Sequence, residues 1–209
     1  MVRTRRPGPG QLALPLGFRP ALARSDFIVA PSNADAVAWI DRWPDWPDLG
    51  LGFRALALHG PAGSGKSHLA AVWLARASGG VLIDDATAPQ DERASLHRLN
   101  ALKEPGGQLL LVGREAPARW PVRLPDLASR LKAIPAVALG PPDDALLAAL
   151  YAKLFAERRL AQAPDLVPWL IARLERSGAA AADAVARLDR AALERHRPLT
   201  VALARTVLS

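Results

Sequence analysis

The sequence predicts the α/β class: a parallel sheet layered between helices, followed by a small helical domain. Three observations predict it. Between residues 53 and 140, short apolar runs alternate with segments of helical period, the rhythm of strand–helix–strand units. A glycine-rich stretch, GPAGSGKS, stands between the first such run and the helix after it. Beyond Pro141-Pro142 the strand-like runs stop and four helical patterns follow. The limits expected from this are 1–17 for an N-terminal segment, 18–140 for the α/β domain and 141–209 for a helical lid.

Each element has its own signal. Residues 1–10, with three arginines, two Pro-Gly pairs and no periodicity, are expected to be disordered. The apolar run QLALPL follows, residues 11–16, without a helical period; by itself it suits an N-terminal strand or a packed tail. In DFIVAPSNADAVAWIDRW a short extended stretch precedes a helix, with Ser32 or Asn33 as its cap and Ala36, Val37 and Ile40 on its apolar face. WPDWPDLGLG is a turn region, since its prolines cannot sit inside a helix. FRALALHG, VLIDD, QLLLVG and PAVALG are the strand candidates. SHLAAVWLARA, ERASLHRLNALKE and DLASRLKA are the helices between them. The lid helices are DDALLAALYAKLFAERRL, DLVPWLIARLERS, AADAVARLDRAALERH and LTVALARTVLS. No internal repeat is evident.

Composition bounds the function. No apolar run approaches the roughly 18 residues of a transmembrane span, and no signal-type apolar segment follows the basic N-terminus. The absence of cysteine excludes disulfides and thiolate metal sites and fits a reducing cytoplasm. Four scattered histidines show no metal-ligand spacing, which argues against zinc or redox chemistry. A net charge of +7 and a pI near 10.9 invite a nucleic-acid partner. The excess is nearly all arginine, spread along a chain also rich in Ala, Gly and Pro, as a GC-rich genome produces.

GPAGSGKS, residues 60–67, matches the phosphate-loop pattern G-x-x-x-x-G-K-[ST] in the strand-to-helix setting that its mechanism requires. Gly60, Pro61, Ala62, Gly63, Ser64 and Gly65 wrap the backbone so that N–H groups face a phosphate, with His68 just beyond. Lys66 reaches the outer phosphates, Ser67 supplies a hydroxyl to Mg²⁺, and the helix adds its positive end. VLIDD places Asp84 and Asp85 at a strand end, the Walker-B pattern. There Asp84 would hold Mg²⁺ through water and Asp85 would orient an attacking water; the plainer alternative is an Asp pair in a turn.

The succession GPAGSGKSHLA, VLIDD, LLLVG, LPDLASRL, ALGPPDDALL and RPLTVALARTVL resembles the AAA+ proteins related to the bacterial initiator DnaA. It is most similar to the Hda regulators among them, in their alphaproteobacterial HdaA form, over roughly residue 11 to the end. The resemblance implies an AAA+ sheet domain with a four-helix lid, ATP or ADP with Mg²⁺ as cofactor, and a cytoplasmic location. It also gives QLALPL a role, as the Q-L-x-L-P-L motif that binds the sliding clamp, the DNA polymerase III beta subunit. Gln11, Leu12, Leu14, Pro15 and Leu16 match its fixed positions, a peptide-in-groove mode of recognition. Arg130 of LASRL matches the arginine finger that reaches a neighbour's nucleotide; sequence alone does not separate it from a solvated helix arginine. The neighbour is DnaA, another copy of this chain in a homodimer, or both. The implied function is regulatory inactivation of DnaA, by hydrolysis of its bound ATP. An adaptor or loader module that recruits replication proteins without stimulating hydrolysis is the alternative. The chain stops at Ser209, where DnaA continues into a helix-turn-helix domain, so sequence-specific DNA binding is not expected.

Three departures from the family pattern bear on turnover by the chain itself. Only ARASGG separates the phosphate-loop helix from VLIDD, so the sheet is expected to lack an edge strand. The polar residue that senses γ-phosphate falls at Gly113, with Arg114 as a substitute. The lid arginine falls at Ala179, with Arg176 one turn away as its substitute. Retained ADP is therefore expected in preference to rapid ATP cycling.

Overall fold

The computed structural model describes residues 23–48, 50–103 and 107–208, so the QLALPL segment lies outside the described residues. Four strands, β1 (Arg54–His59), β2 (Val81–Ala86), β3 (Gln108–Gly113) and β4 (Ala136–Ala138), pair in the order β2-β3-β1-β4 with every pairing parallel. Among the described residues no strand lies outside β2, as the short ARASGG connection predicts.

The two inner strands explain why their sequences are continuously apolar. Successive side chains alternate across a strand, and both faces of this sheet are covered. Leu56 and Leu58 of β1, with Leu110 and Val112 of β3, enter one core with Ile40, Leu69 and Trp73. Those partners come from α1 (Ala34–Arg42) and α2 (Lys66–Leu74). The alternate residues Ala55, Ala57, Leu109 and Leu111 enter the other core with Leu99, Leu127 and Leu131. These come from α3 (Glu92–Ala101) and α4 (Pro125–Ala133). A slip of one residue would exchange the two faces, so burial on both sides fixes the register.

The lid has a separate core. Helices α5 (Asp144–Glu157), α6 (Leu166–Arg173), α7 (Gly178–Arg195) and α8 (Val201–Val207) enclose Tyr151, Phe155, Leu166, Leu170, Val185 and Leu203. Burial pushes the Tyr151 phenol up to about 12. Among the described residues, no helix is long and apolar enough to cross a membrane.

The expected elements are present, with shifted ends. Helix α7 starts at Gly178, ahead of the expected AADAV, because the Ser177 side chain accepts from the Ala180 N–H. Helix α6 ends at Arg173 instead of reaching residue 177. Asn33 stands at the start of α1, but its side chain does not cap the helix. Its Oδ1 accepts from Ala30 N at 2.9 Å and its Nδ2 donates to Ile28 O at 3.0 Å, pinning the preceding segment. Residues 24–26 and 117–119 form single 3₁₀ turns that periodicity does not show.

The two largest fully buried side chains stack on each other. Trp46 and Trp73 lie 5.8 Å apart and nearly parallel, and the Trp46 Nε1 donates to Trp39 O at 2.7 Å. Trp73 is on α2, the helix that begins with Lys66. Trp73→Ala is expected to cost about 3–5 kcal/mol, the range for emptying a large aromatic site. Urea unfolding of the variant against wild type measures this, with a lowered midpoint at unchanged slope.

Candidate nucleotide site

β1 delivers the chain to the site and α2 carries it away; residues 60–65 make the turn between them. The turn depends on glycine. Gly63 has φ 75° and Gly65, at the N-cap of α2, has φ 96°, both in the left-handed region. A Cβ on Gly63 would meet the Ser177 Cβ at 2.3 Å, so the loop touches the cap of lid helix α7. The Lys66 Nζ spans the loop, donating to Gly60 O at 2.9 Å and Pro61 O at 2.6 Å.

Topology brings the acidic pair to the same end. β3 lies between β1 and β2, and parallel strands all finish on one side of the sheet. A register irregularity between Ile83 and Ala86 releases Asp84 and Asp85 from regular pairing. Asp85 has φ 54°, and its N–H donates to the Asp84 carboxylate at 2.9 Å. Burial lowers the Lys66 ammonium below the ordinary lysine value. The Asp84 carboxylate opposes that shift, the Arg114 guanidinium adds to it, and Asp85 opposes it more weakly. Lys66, both aspartates and Arg114 therefore share one electrostatic neighbourhood. His59, the last residue of β1, is held below its ordinary value by burial, then by Arg119 and Lys66.

Between the phosphate loop and the lid lies a cleft of about 410 Å³. Gly63, Gly65, Lys66, Ser67 and His68 line one wall, and Leu150, Lys153 and Ala179 line the opposite one. A smaller apolar hollow of about 120 Å³ adjoins it, bordered by Phe27, Ile28, Leu146 and Leu150. Phe27 meets the His68 ring edge-to-face at 5.1 Å. Lys153 of α5 closes the rim by donating to the Asp26 carboxylate and to Asp26 O, both at 2.9 Å. That hydrogen bond holds the Asp26 carboxyl below the usual range. The pair's contribution is thus present above the ordinary carboxylate pKa and lost as pH falls through the lowered value.

The predicted residues fall into three groups. Gly63, Gly65, Lys66, Ser67 and His68 line the cleft and Ser64 borders the smaller hollow; Asp84 and Asp85 act on Lys66 electrostatically, and Asp85 borders a separate hollow beside α3 and α4. Ala179 lines the cleft, at the place where the family pattern has an arginine. Arg176 does not replace it: its guanidinium donates to Pro142 O at 2.9 Å and to Asp144 at 2.6 Å. Arg130 stands apart. Leu127 and Leu131 bury one side of α4, and Glu92 accepts from the Arg123 and Leu124 backbone N–H groups at the helix entrance. Arg130, in the last turn, is half-exposed, with no hydrogen bond or ion pair among the described residues. Sequence reasoning missed Asp26, Lys153 and Arg119. Lys153 and Asp26 are 127 positions apart, and nothing local marks either one.

The residues present fit a nucleotide and Mg²⁺. The loop's glycines leave no side chain over the phosphate position, and Ser67 with Asp84 is an oxygen-only donor set of the kind Mg²⁺ takes. The adjoining apolar hollow suits a base.

No family model and no curated protein matches the sequence. Solved structures do match. The chain is similar to domain III of the Thermotoga maritima replication initiation protein DnaA, with a TM-score of 0.75 at 16% identity, over 91% of this chain and 96% of that one. It is similar to AMPPCP-bound DnaA from Aquifex aeolicus, with a TM-score of 0.69 at 15% identity, over 84% and 67% of the two chains. A replication initiator DnaA bound to AMPPCP and single-stranded DNA matches with a TM-score of 0.65 at 14% identity, over 86% and 69%. These similarities show the fold: this chain folds as domain III of DnaA does.

Proposed function

We propose that this chain is a nucleotide-binding regulator of replication initiation. In this reading it binds the sliding clamp through Gln11, Leu12, Leu14, Pro15 and Leu16, and it promotes hydrolysis of DnaA-bound ATP through Arg130. The observation that carries the reading is the position of Arg130. Among the described residues it has no hydrogen bond or ion pair; it sits on a helix that Leu127 and Leu131 anchor, and it does not line the chain's own cleft. In this reading the guanidinium serves a phosphate on another subunit. In trans such an arginine is worth about 10³–10⁵ in rate.

Within the chain's own cleft, the loop backbone, Lys66 and α2's N-terminal end bind phosphates, and Ser67 and Asp84 hold Mg²⁺. Bound nucleotide with its metal supplies charge that knits the loop to the lid. In this reading Asp85 orients a water. Arg114 is the cation nearest the place of the missing γ-phosphate sensor, and Ala179 leaves the lid without its arginine. Both features favour retained ADP over turnover. The AMPPCP-bound DnaA structures support a nucleotide at this position.

Two measurements examine the cleft. Gly63→Ala forces a Cβ into Ser177 and strains a left-handed residue, so ADP affinity should fall at least about tenfold, near 1.4 kcal/mol. Titration calorimetry reads this, while circular dichroism should show the lid helices intact. Arg114→Ala should weaken ATP more than ADP in the same titration; equal losses would deny Arg114 a sensing role.

Clamp and finger are tested together. ATP-loaded DnaA is mixed with this protein and clamp on DNA, and conversion of bound ATP to ADP is followed. Wild type should raise the rate. Arg130→Ala, and Gln11→Ala with Leu12→Ala, should each return it to the DnaA baseline. A clamp-bound protein that never raises hydrolysis is instead a recruiting adaptor.

A further inference from the structure

The open edge of the sheet has a missing cover. Val81 and Ile83 of β2 are 40% and 42% exposed, while their register partners on β3, Leu109 and Leu111, are 0% and 5%. The α3/α4 layer therefore covers β3 and stops short of β2. Ile83 also borders a hollow of about 330 Å³, shared with Leu99, Leu111, Leu127 and Leu131. An apolar strand with one unpaired side attracts another extended segment.

The geometry points to residues 11–16 of this same chain as the occupant, added to β2 as a fifth, parallel strand. In QLALPL the leucines recur at every second position, 12, 14 and 16, which is the period of a strand with one apolar face. Facing the α3/α4 side, they would cover Val81 and Ile83. Pro15 is out of phase with them, so its missing N–H faces away from β2, the one direction an edge strand tolerates.

Direction and length agree. Ala23 O lies 3.4 Å from His68 in the first turn of α2, at the end of the sheet where the strands finish. A segment whose C-terminal end leads there runs parallel to β2. The outer lane is three strand spacings from β1, about 14 Å. Residues 17–22 span up to about 20 Å. A second copy fits the edge less well, because antiparallel pairing of two β2 strands sets the Asp84 and Asp85 carboxylates of both copies close together.

The pairing hides the leucines that the proposed function assigns to the clamp, so clamp and sheet edge compete for one segment. That consequence rests on the clamp reading; the pairing does not.

The chain has no cysteine, so an engineered pair is the only disulfide available to it. Leu12→Cys, Leu14→Cys and Leu16→Cys are each combined with Ile83→Cys in the full chain and mildly oxidised, with Leu14→Cys plus Leu193→Cys as a remote control. Leu14 with Ile83 should trap within one chain in most molecules, and the control should not. Backbone amides of residues 81–86 should exchange at least tenfold faster once residues 1–16 are deleted. Equal exchange rates, no trapping in any of the three, or trapping between chains overturns the proposal. Added clamp should lower the trapping yield; an unchanged yield counts against the clamp assignment and leaves the pairing standing.

Discussion

Burial of β1 and β3 on both faces is the constraint on which the other features rest. Each strand places alternate residues into different cores, so neither can slide without exchanging Leu56 and Leu58 for Ala55 and Ala57. Fixed register fixes where the strands stop. Gly60, Gly113 and the Asp84–Asp85 pair consequently arrive at one end of the sheet. The phosphate loop, the acidic pair and Arg114 meet because two hydrophobic cores hold their strands in line, before any charge interaction is counted.

That dependence explains what the sequence revealed. Strands buried on both sides read as unbroken apolar runs, so ALAL and LLLV were unambiguous, and GPAGSGKS carries its own mechanism. The short connection before VLIDD likewise foretold a sheet of four strands. The misread elements involve side chains that serve distant partners. Asn33 looked like a helix cap because its type and position suit one, yet it pins residues 28 and 30. Arg176 looked like a spare lid arginine, but Pro142 and Asp144 hold it at the linker. The Asp26–Lys153 pair had no local signature, since its two halves meet only when the lid folds over the N-terminal segment.

The two walls of the cleft differ in chemistry. On the loop side stand Gly63, Gly65, Lys66 and Ser67. On the lid side, Leu150 and Ala179 are apolar, and the nearby cation, Lys153, is already committed to Asp26 at the rim. Arg130, half-exposed on α4, does not line this cleft.

The contact between Gly63 and Ser177 also has a mechanical consequence. Ser177 is the foot of α7, an 18-residue helix. At 1.5 Å per residue the helix is a rigid arm about 27 Å long, so a tilt of about 3° at its foot displaces the far end by about 1.4 Å. Loop and helix meet there without an intervening side chain on the loop. A change in loop shape too small to disturb the sheet is thereby magnified at the distant tip, around Leu193 and Arg195, where it alters the outline that the molecule offers to its surroundings.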